Sequence, residues 1–355
     1  MKSQLRKILP NKIISQITNM RIRMKSGLSR YMVKYRFTSA LYYFIFDFQY
    51  HREQQATLAG KNTYQANEGV FEKSSALLRR NTHRLEKGLI MVPRKPIFAE
   101  SYILETVQCF SHCLQQGSIN SPELKWAQDV LARYFESVEH TSIIKKANNI
   151  FENLPLVDDK TLLQSVPYLH SERVTSNIDS QSLHQLFKQR RSTRWFEDKP
   201  VDIQIIKQAV EMASQAPSAC NRQPFQFYTI TDAIKASEIA AIPMGTKGFA
   251  ENIQALLVIV GDLSFYPKER DRHVIYIDGG LVAMQLMLAF ESLGLSTCPI
   301  NWPDIELYEK QMDKALSLEK HQRPIMLMAV GYGKKEGGIP FSQKKSAEQL
   351  IKEID

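Results

Sequence analysis

Cysteine is scarce in this chain: Cys109, Cys113, Cys220 and Cys298 are all it has among 355 residues. So sparse and irregular a set excludes a disulfide scaffold and leaves reduced thiols as the reading. Cys109 and Cys113 stand four apart and can share a helix face, but no second Cys or His pair at zinc-ligand spacing accompanies them. None of the eight histidines falls in an H-E-x-x-H arrangement, so no metal is expected. Long apolar runs are missing as well: segments 40–46 and 255–261 fall far short of the roughly 20 residues that span a bilayer. No apolar stretch with a small-residue cleavage site follows the basic start, so no secretory signal is read and a cytoplasmic location is expected.

Acidic residues are absent from the first 46 positions, which hold ten Lys or Arg. The formal net charge is +9, so the remainder of the chain sums to −1 and is close to neutral. A basic arm with interleaved Leu, Ile and Met, followed by Tyr42, Tyr43, Phe44, Phe46, Phe48 and Tyr50, has the composition of a segment that lies on an anionic membrane surface. The plainer reading, which is favoured, is a solvated basic tail leading into a core helix. Nucleic acid is not expected as a partner, because no binding module accompanies the charge.

The length and the 43% hydrophobic content allow two ordinary domains. Three segments are read: a basic and aromatic stretch 1–50, a helical region 51–170, and a domain 171–355. Within the second, apolar residues recur at helical spacing from 69 to 153, and Ser121-Pro122-Glu123 reads as an N-cap followed by Pro at the first helical position. Arg79, Arg80, His83, Arg84, Glu86 and Lys87 crowd one helix ending at Gly88, which reads as a solvated or salt-bridged face. Should that helix fold over a substrate pocket, its cations would select an anionic substrate. After a connector at 154–180, helices are predicted at 183–189, 203–216 and 274–293 and strands at 226–231, 255–260 and 325–330. The 274–293 helix is apolar on nearly all sides and is expected to be buried, with Met284 and Met287 as core filler.

Two segments carry chemistry. Arg190-Arg191-Ser192-Thr193-Arg194 places three guanidinium groups and a hydroxyl within five residues, a set able to surround a phosphate. Some 25 residues on, Pro217-Ser218-Ala219-Cys220-Asn221-Arg222-Gln223-Pro224 places short donors and acceptors on a path fixed by two prolines, where the polar edge of a flat heteroaromatic ring can be read. Either alone is a common loop. In this order and spacing they resemble the nitroreductase family, with its R-R-S-x-R element, helix, and A-P-S-x-x-N-x-Q-P followed by a strand. The resemblance continues through Asp278-Gly279-Gly280, 293–298, the G-Y-G turn at 331–333 and Lys344-Lys345-Ser346, and covers about 170 residues.

That resemblance implies an α+β fold, a mixed central sheet flanked by helices in three layers, here preceded by a mainly helical region. It also implies a homodimer with FMN at the interface, NADH or NADPH as electron donor and a small-molecule acceptor. Carried over by position, Arg190, Arg191, Ser192 and Arg194 would hold the phosphate and ring edge. Pro217, Ser218, Asn221 and Gln223 would lie beside the flavin, some of them reaching it from the partner. Pro299, Ile300 and Asn301 stand where the family's backbone approaches the ring. Gly333 begins the turn leading to Lys344 or Lys345, which would complete the phosphate site. No catalytic side chain is implied, since the flavin carries the chemistry. No strand-G-x-G-x-x-G-helix unit is present to hold a nicotinamide separately. Two other readings stay open. One is a specialised flavin enzyme that oxidises a heterocycle, removes a halogen or modifies a biosynthetic precursor, and the other a non-enzymatic flavin-binding sensor. Substrate contacts are expected from segments 241–250 and 262–273.

Overall fold

The computed structural model describes residues 11–71, 73–117, 119–157 and 164–354. It divides into two compact units, Met1–Gln55 with Asp304–Glu306, and Ala56–Pro303 with Leu307–Asp355. The first ten residues of the basic segment lie outside the described part.

In the first unit, helix α1 (Asn11–Met32) is followed by α2 (Arg36–Ile45). The carbonyl of Met32, left without an intrahelical donor at the end of α1, accepts from Thr38 Oγ1 at 2.6 Å and Ser39 Oγ at 3.0 Å. Tyr42 is buried and meets Tyr43 edge-on. Tyr31, Val33, Tyr35, Phe37 and Phe44 instead stand out from the surface, none less than 69% exposed.

Helix α3 (His51–Ala66) leads into the second unit, where α4 (Ala76–Leu89), α5 (Ile103–Gln116), α6 (Ser121–Ser137) and α7 (Ser142–Glu152) follow. Apolar residues at helical spacing, among them Leu78, Leu85, Val107, Phe110, Leu131 and Tyr134, close on one another as a core of their own. Ser75 caps α4 by accepting from the amide of Leu78. The cap of α6 is Asn120, one residue before the expected Ser121, with Pro122 in the first turn. Glu123 is buried and accepts from Ser74 Oγ (2.8 Å), the Ser75 amide (2.8 Å) and Arg79 Nη1 (2.9 Å). It ties the start of α6 to the start of α4.

The rest of this unit is built on one sheet. Helices α8 (Ser180–Gln189) and α9 (Ile203–Ala213) precede β1 (Phe225–Ile230), then α10 (Ala233–Ala240), β2 (Ala255–Asp262), α11 (Val274–Ser292), β3 (Ser296–Asn301), α12 (Glu306–Leu316), β4 (Gln322–Gly331) and α13 (Ala347–Leu350). The strand order is β1-β2-β4-β3 with every ladder antiparallel, and a parallel bridge joins Ser192 to Thr297. Side chains alternate between two covered faces. Leu256, Val258, Cys298 and Ile300 pack toward α10 and α12, and Leu257, Ile259, Met328 and Val330 toward α9 and α11. Covering both faces requires β2 to be apolar throughout, which is how its sequence reads. β3 escapes the periodicity reading because Pro299 and the polar ends break the strand pattern. It lies at the sheet edge, where proline is tolerated.

Helix α11 corrects two expectations. Its window of mean hydropathy 1.5 is long and apolar enough to cross a membrane, although none was expected to be; half of that window is buried, and the helix packs on β2, β3 and β4. It is also not buried all round. Met287 is core, but Ile277, Leu281 and Met284 form an exposed stripe at i, i+4 and i+7, 60%, 43% and 40% exposed. Among the described residues nothing covers that face.

Candidate functional site

Arg190 ends α8 as its C-cap with an extended ψ of 119°, so the chain leaves the helix as a strap laid along the sheet. The Thr193 amide donates to Thr297 O (3.0 Å), Glu197 N to Tyr332 O (2.7 Å) and Lys334 N to Trp195 O (2.9 Å), while Phe196 is fully buried. A Cβ on Gly333 would lie 2.9 Å from Ser296 Oγ, which is why this position has no side chain. The strap fixes Arg190, Arg191 and Arg194, all half-buried, with no carboxylate within ion-pair distance among the described residues. Arg190 Nε is sealed from solvent without a partner, as is Thr297 Oγ1. Arg191 Nη1 donates to Arg190 O at 3.0 Å, and Arg194 sits 5.8 Å from the Phe249 ring. Burial raises the Cys298 thiol against the pull of Arg194 and Arg190, so it stays protonated. Clustered guanidinium groups that repel one another, one with an orphaned donor, suit an anion and fit the phosphate of FMN.

The second segment is held by strain and by Asp278. Cys220, Asn221 and Gln223 all have positive φ, 53°, 51° and 50°, a backbone costing on the order of 1–3 kcal/mol per residue where the side chain disfavours it. Asp278, in α11, accepts from Ser218 Oγ (2.6 Å) and the Ala219 amide (3.0 Å). Burial pushes its carboxyl above the ordinary range, with the two donors opposing. Ser218 Oγ in turn accepts from the Gln223 amide (2.8 Å), and Gln223 Nε2 donates to Asn221 Oδ1 (2.9 Å). Arg79 Nε on α4 donates to Asn221 O at 2.7 Å. The polar loop is thereby rigid, and the exposed Pro217 lies at its entrance.

These two constellations occupy opposite ends of the sheet. The arginine strap joins Thr297, which pairs with Val330, itself opposite Ala255. The Ser218 loop enters β1 at Phe225, opposite Gly261, and Pro224 O accepts from the Asp262 amide. From Ala255 to Gly261 is six residues, about 20 Å of strand. α11 spans the same interval, with Asp278 at one end and Glu291, which accepts from Gln189 Nε2 (2.9 Å), at the other. Its exposed apolar stripe, from Ile277 to Met284, starts beside Asp278.

Of the remaining residues singled out, Pro299 and Asn301 face away from the core that holds Ile300, on a strand running from the strap toward the opposite end. Lys344 and Lys345 stand on an exposed stretch before α13, and no hydrogen bond or ion pair joins them to the 190–194 strap among the described residues. Lys334, whose amide is bonded to that strap, went unnoticed in the sequence. So did Tyr266, while Arg79, Asp278 and Arg222 were named without these roles, because the roles come from contacts between distant segments.

Residues 187–332 match the nitroreductase family. A putative NAD(P)H nitroreductase YdgI of Bacillus subtilis is 28% identical over 198 residues, covering 45% of this chain and 92% of that protein. Human iodotyrosine deiodinase 1 is 21% identical over 222 residues, 53% of this chain and 75% of that protein. Among solved structures, a putative nitroreductase in complex with FMN from Desulfovibrio desulfuricans is 21% identical with a TM-score of 0.42, covering 49% of this chain and 96% of that one. The match to the nitroreductase family is confined to residues 187–332, and the N-terminal region lies outside it.

Proposed function

We propose that the chain is an FMN-dependent oxidoreductase that takes electrons from NADH or NADPH and reduces a nitro, quinone or other electron-poor small molecule. The observation that carries this is the unpaired arginine strap with its sealed, partnerless Arg190 Nε, in a domain whose relatives include nitroreductases. Arg190, Arg191, Ser192 and Arg194 would hold the phosphate, and Pro217, Ser218, Asn221 and Gln223 would line the ring. FMN, when bound, supplies one- and two-electron chemistry. This chain's residues bind, orient and exclude water; Asp278 fixes Ser218, and the Gln223–Asn221 bond fixes two side-chain amides for hydrogen bonding to a ring edge.

The site requires two copies. A two-fold axis across the middle of α11 pairs the exposed stripes of Ile277, Leu281 and Met284 and brings one chain's arginine strap to its partner's Ser218 loop. The similarity to iodotyrosine deiodinase supports a second reading, a specialised flavin enzyme such as a dehalogenase. The test is the flavin content of the purified protein and its oxidation of NADH or NADPH with nitro and quinone acceptors. Bound FMN with turnover is expected; a folded, colourless protein that refuses added FMN would overturn the reading.

For the first unit we propose that a cytoplasmic protein rests on an anionic membrane surface. Arg30, Lys34 and Arg36 are exposed among Tyr31, Val33, Tyr35, Phe37 and Phe44, a mixture that suits an interface of acidic headgroups and acyl chains better than water. Pelleting with vesicles of phosphatidylglycerol in phosphatidylcholine is expected, and none with phosphatidylcholine alone. At about 1 kcal/mol per cation, Arg30→Glu, Lys34→Glu and Arg36→Glu together should weaken binding on the order of 100-fold. Equal pelleting of the native and reversed proteins would dismiss the membrane.

A further inference from the structure

Arg222 lies between the two motif positions Asn221 and Gln223, yet the flavin reading gives it nothing to do. It is 6% exposed, and its side chain makes no hydrogen bond or ion pair among the described residues; of its guanidinium nitrogens Nε is sealed without a partner. Its guanidinium carbon stands 4.9 Å over the ring of Tyr266, which is 3% exposed and whose hydroxyl is likewise sealed and partnerless. Asp278, the acid close enough to feel Arg222, spends its Oδ2 on Ser218 and Ala219. Tyr64 of α3 faces Arg222 from the helical region and also feels Arg80 of α4, and Arg79 pins α4 onto the loop.

A guanidinium cannot escape burial by losing its proton, so an isolated one is a standing cost to the fold. A cationic N–H and a phenolic O–H, both without acceptors in one place, define what is missing: an acceptor carrying negative charge. We propose that Arg222 and the Tyr266 hydroxyl form a subsite for the carboxylate of the substrate, beside the loop that lines the flavin. The assignment of this carboxylate to an electron acceptor rests on the flavin reading. Tyr266 comes from the 262–273 segment, and Tyr64 and Arg79 from helices outside residues 187–332, so the N-terminal region serves to build the wall of this subsite. The fork of Arg222 suits a planar carboxylate.

The experiment compares the native protein with Arg222→Met and Tyr266→Phe. In thermal melts, Arg222→Met should raise the melting temperature, because it removes an unpaired buried cation. Benzoate should raise the melting temperature of the native chain and do so little or not at all for either variant. With 4-nitrobenzoate and its neutral counterpart 4-nitrobenzamide as acceptors, the ratio of kcat/KM should fall about 10- to 100-fold in Arg222→Met. Benzoate stabilising all three proteins equally, or none, would overturn the proposal and leave water as the partner of these donors. The melts do not depend on flavin, so a chain that responds to benzoate but carries no FMN keeps the anion subsite and loses the flavin reading alone.

Discussion

Replacing Arg190 and Arg194 together by alanine should strip the protein of FMN while leaving it folded. Both side chains are half-buried, neither has an acidic partner among the described residues, and the strap they stand on is held by backbone bonds to Thr297, Tyr332 and Lys334 that alanine does not touch. Hydrogen bonds to a charged group contribute about 1.5–3 kcal/mol each, so removing two should weaken binding by roughly 10²- to 10⁴-fold. Removing mutually repelling cations should not lower the melting temperature of the flavin-free protein. The measurement is the visible absorbance of purified native and variant protein, with the released chromophore identified by mass. Retained flavin at native stoichiometry would take the phosphate away from this loop.

Leu281→Asp should divide the two-chain assembly and remove the flavin with it. Leu281 lies at the centre of the exposed stripe on α11, 43% exposed in one chain, and is not one of the residues assigned to the flavin. In an isologous interface each substitution appears twice, and two carboxylates face each other across an apolar seam. At several kcal/mol per buried charge, the assembly should weaken by roughly 10³-fold or more. Sedimentation velocity reads the mass and absorbance reads the flavin; because no flavin-binding residue is altered, joint loss ties the cofactor to assembly. A single-chain variant that still binds FMN would remove the partner from the site.

Much of the site was legible because its chemistry is local. Five consecutive residues supply the arginine strap, and eight supply the polar loop. Strands β1, β2 and β4 were legible because their sequences run apolar between turns, whereas β3, with Pro299 and polar ends, was not. Met284 was misread as core because an all-apolar helix gives no periodic signal of the face that is left exposed. The charged face of α4 was read as solvated, yet Arg79 reaches Glu123 and Asn221, and Arg84 lies 3.6 Å from the Tyr102 ring. No spacing rule exposes such contacts, which join residues 44 and 142 positions apart. Nor can periodicity reveal that the two motifs, close in sequence, emerge at opposite ends of one sheet.

The most direct test of a site shared between two chains is complementation. One chain carries Arg190→Ala and Arg194→Ala, the other Ser218→Ala and Asn221→Ala, each on its own unable to bind FMN. In a mixed dimer, one site inherits both sets of lesions and the other inherits none. The expected result is FMN in half of the sites of the purified mixed dimer, with turnover restored to match. A mixed dimer as colourless as its two parents, beside a native protein that holds flavin, would show that each chain builds its site alone.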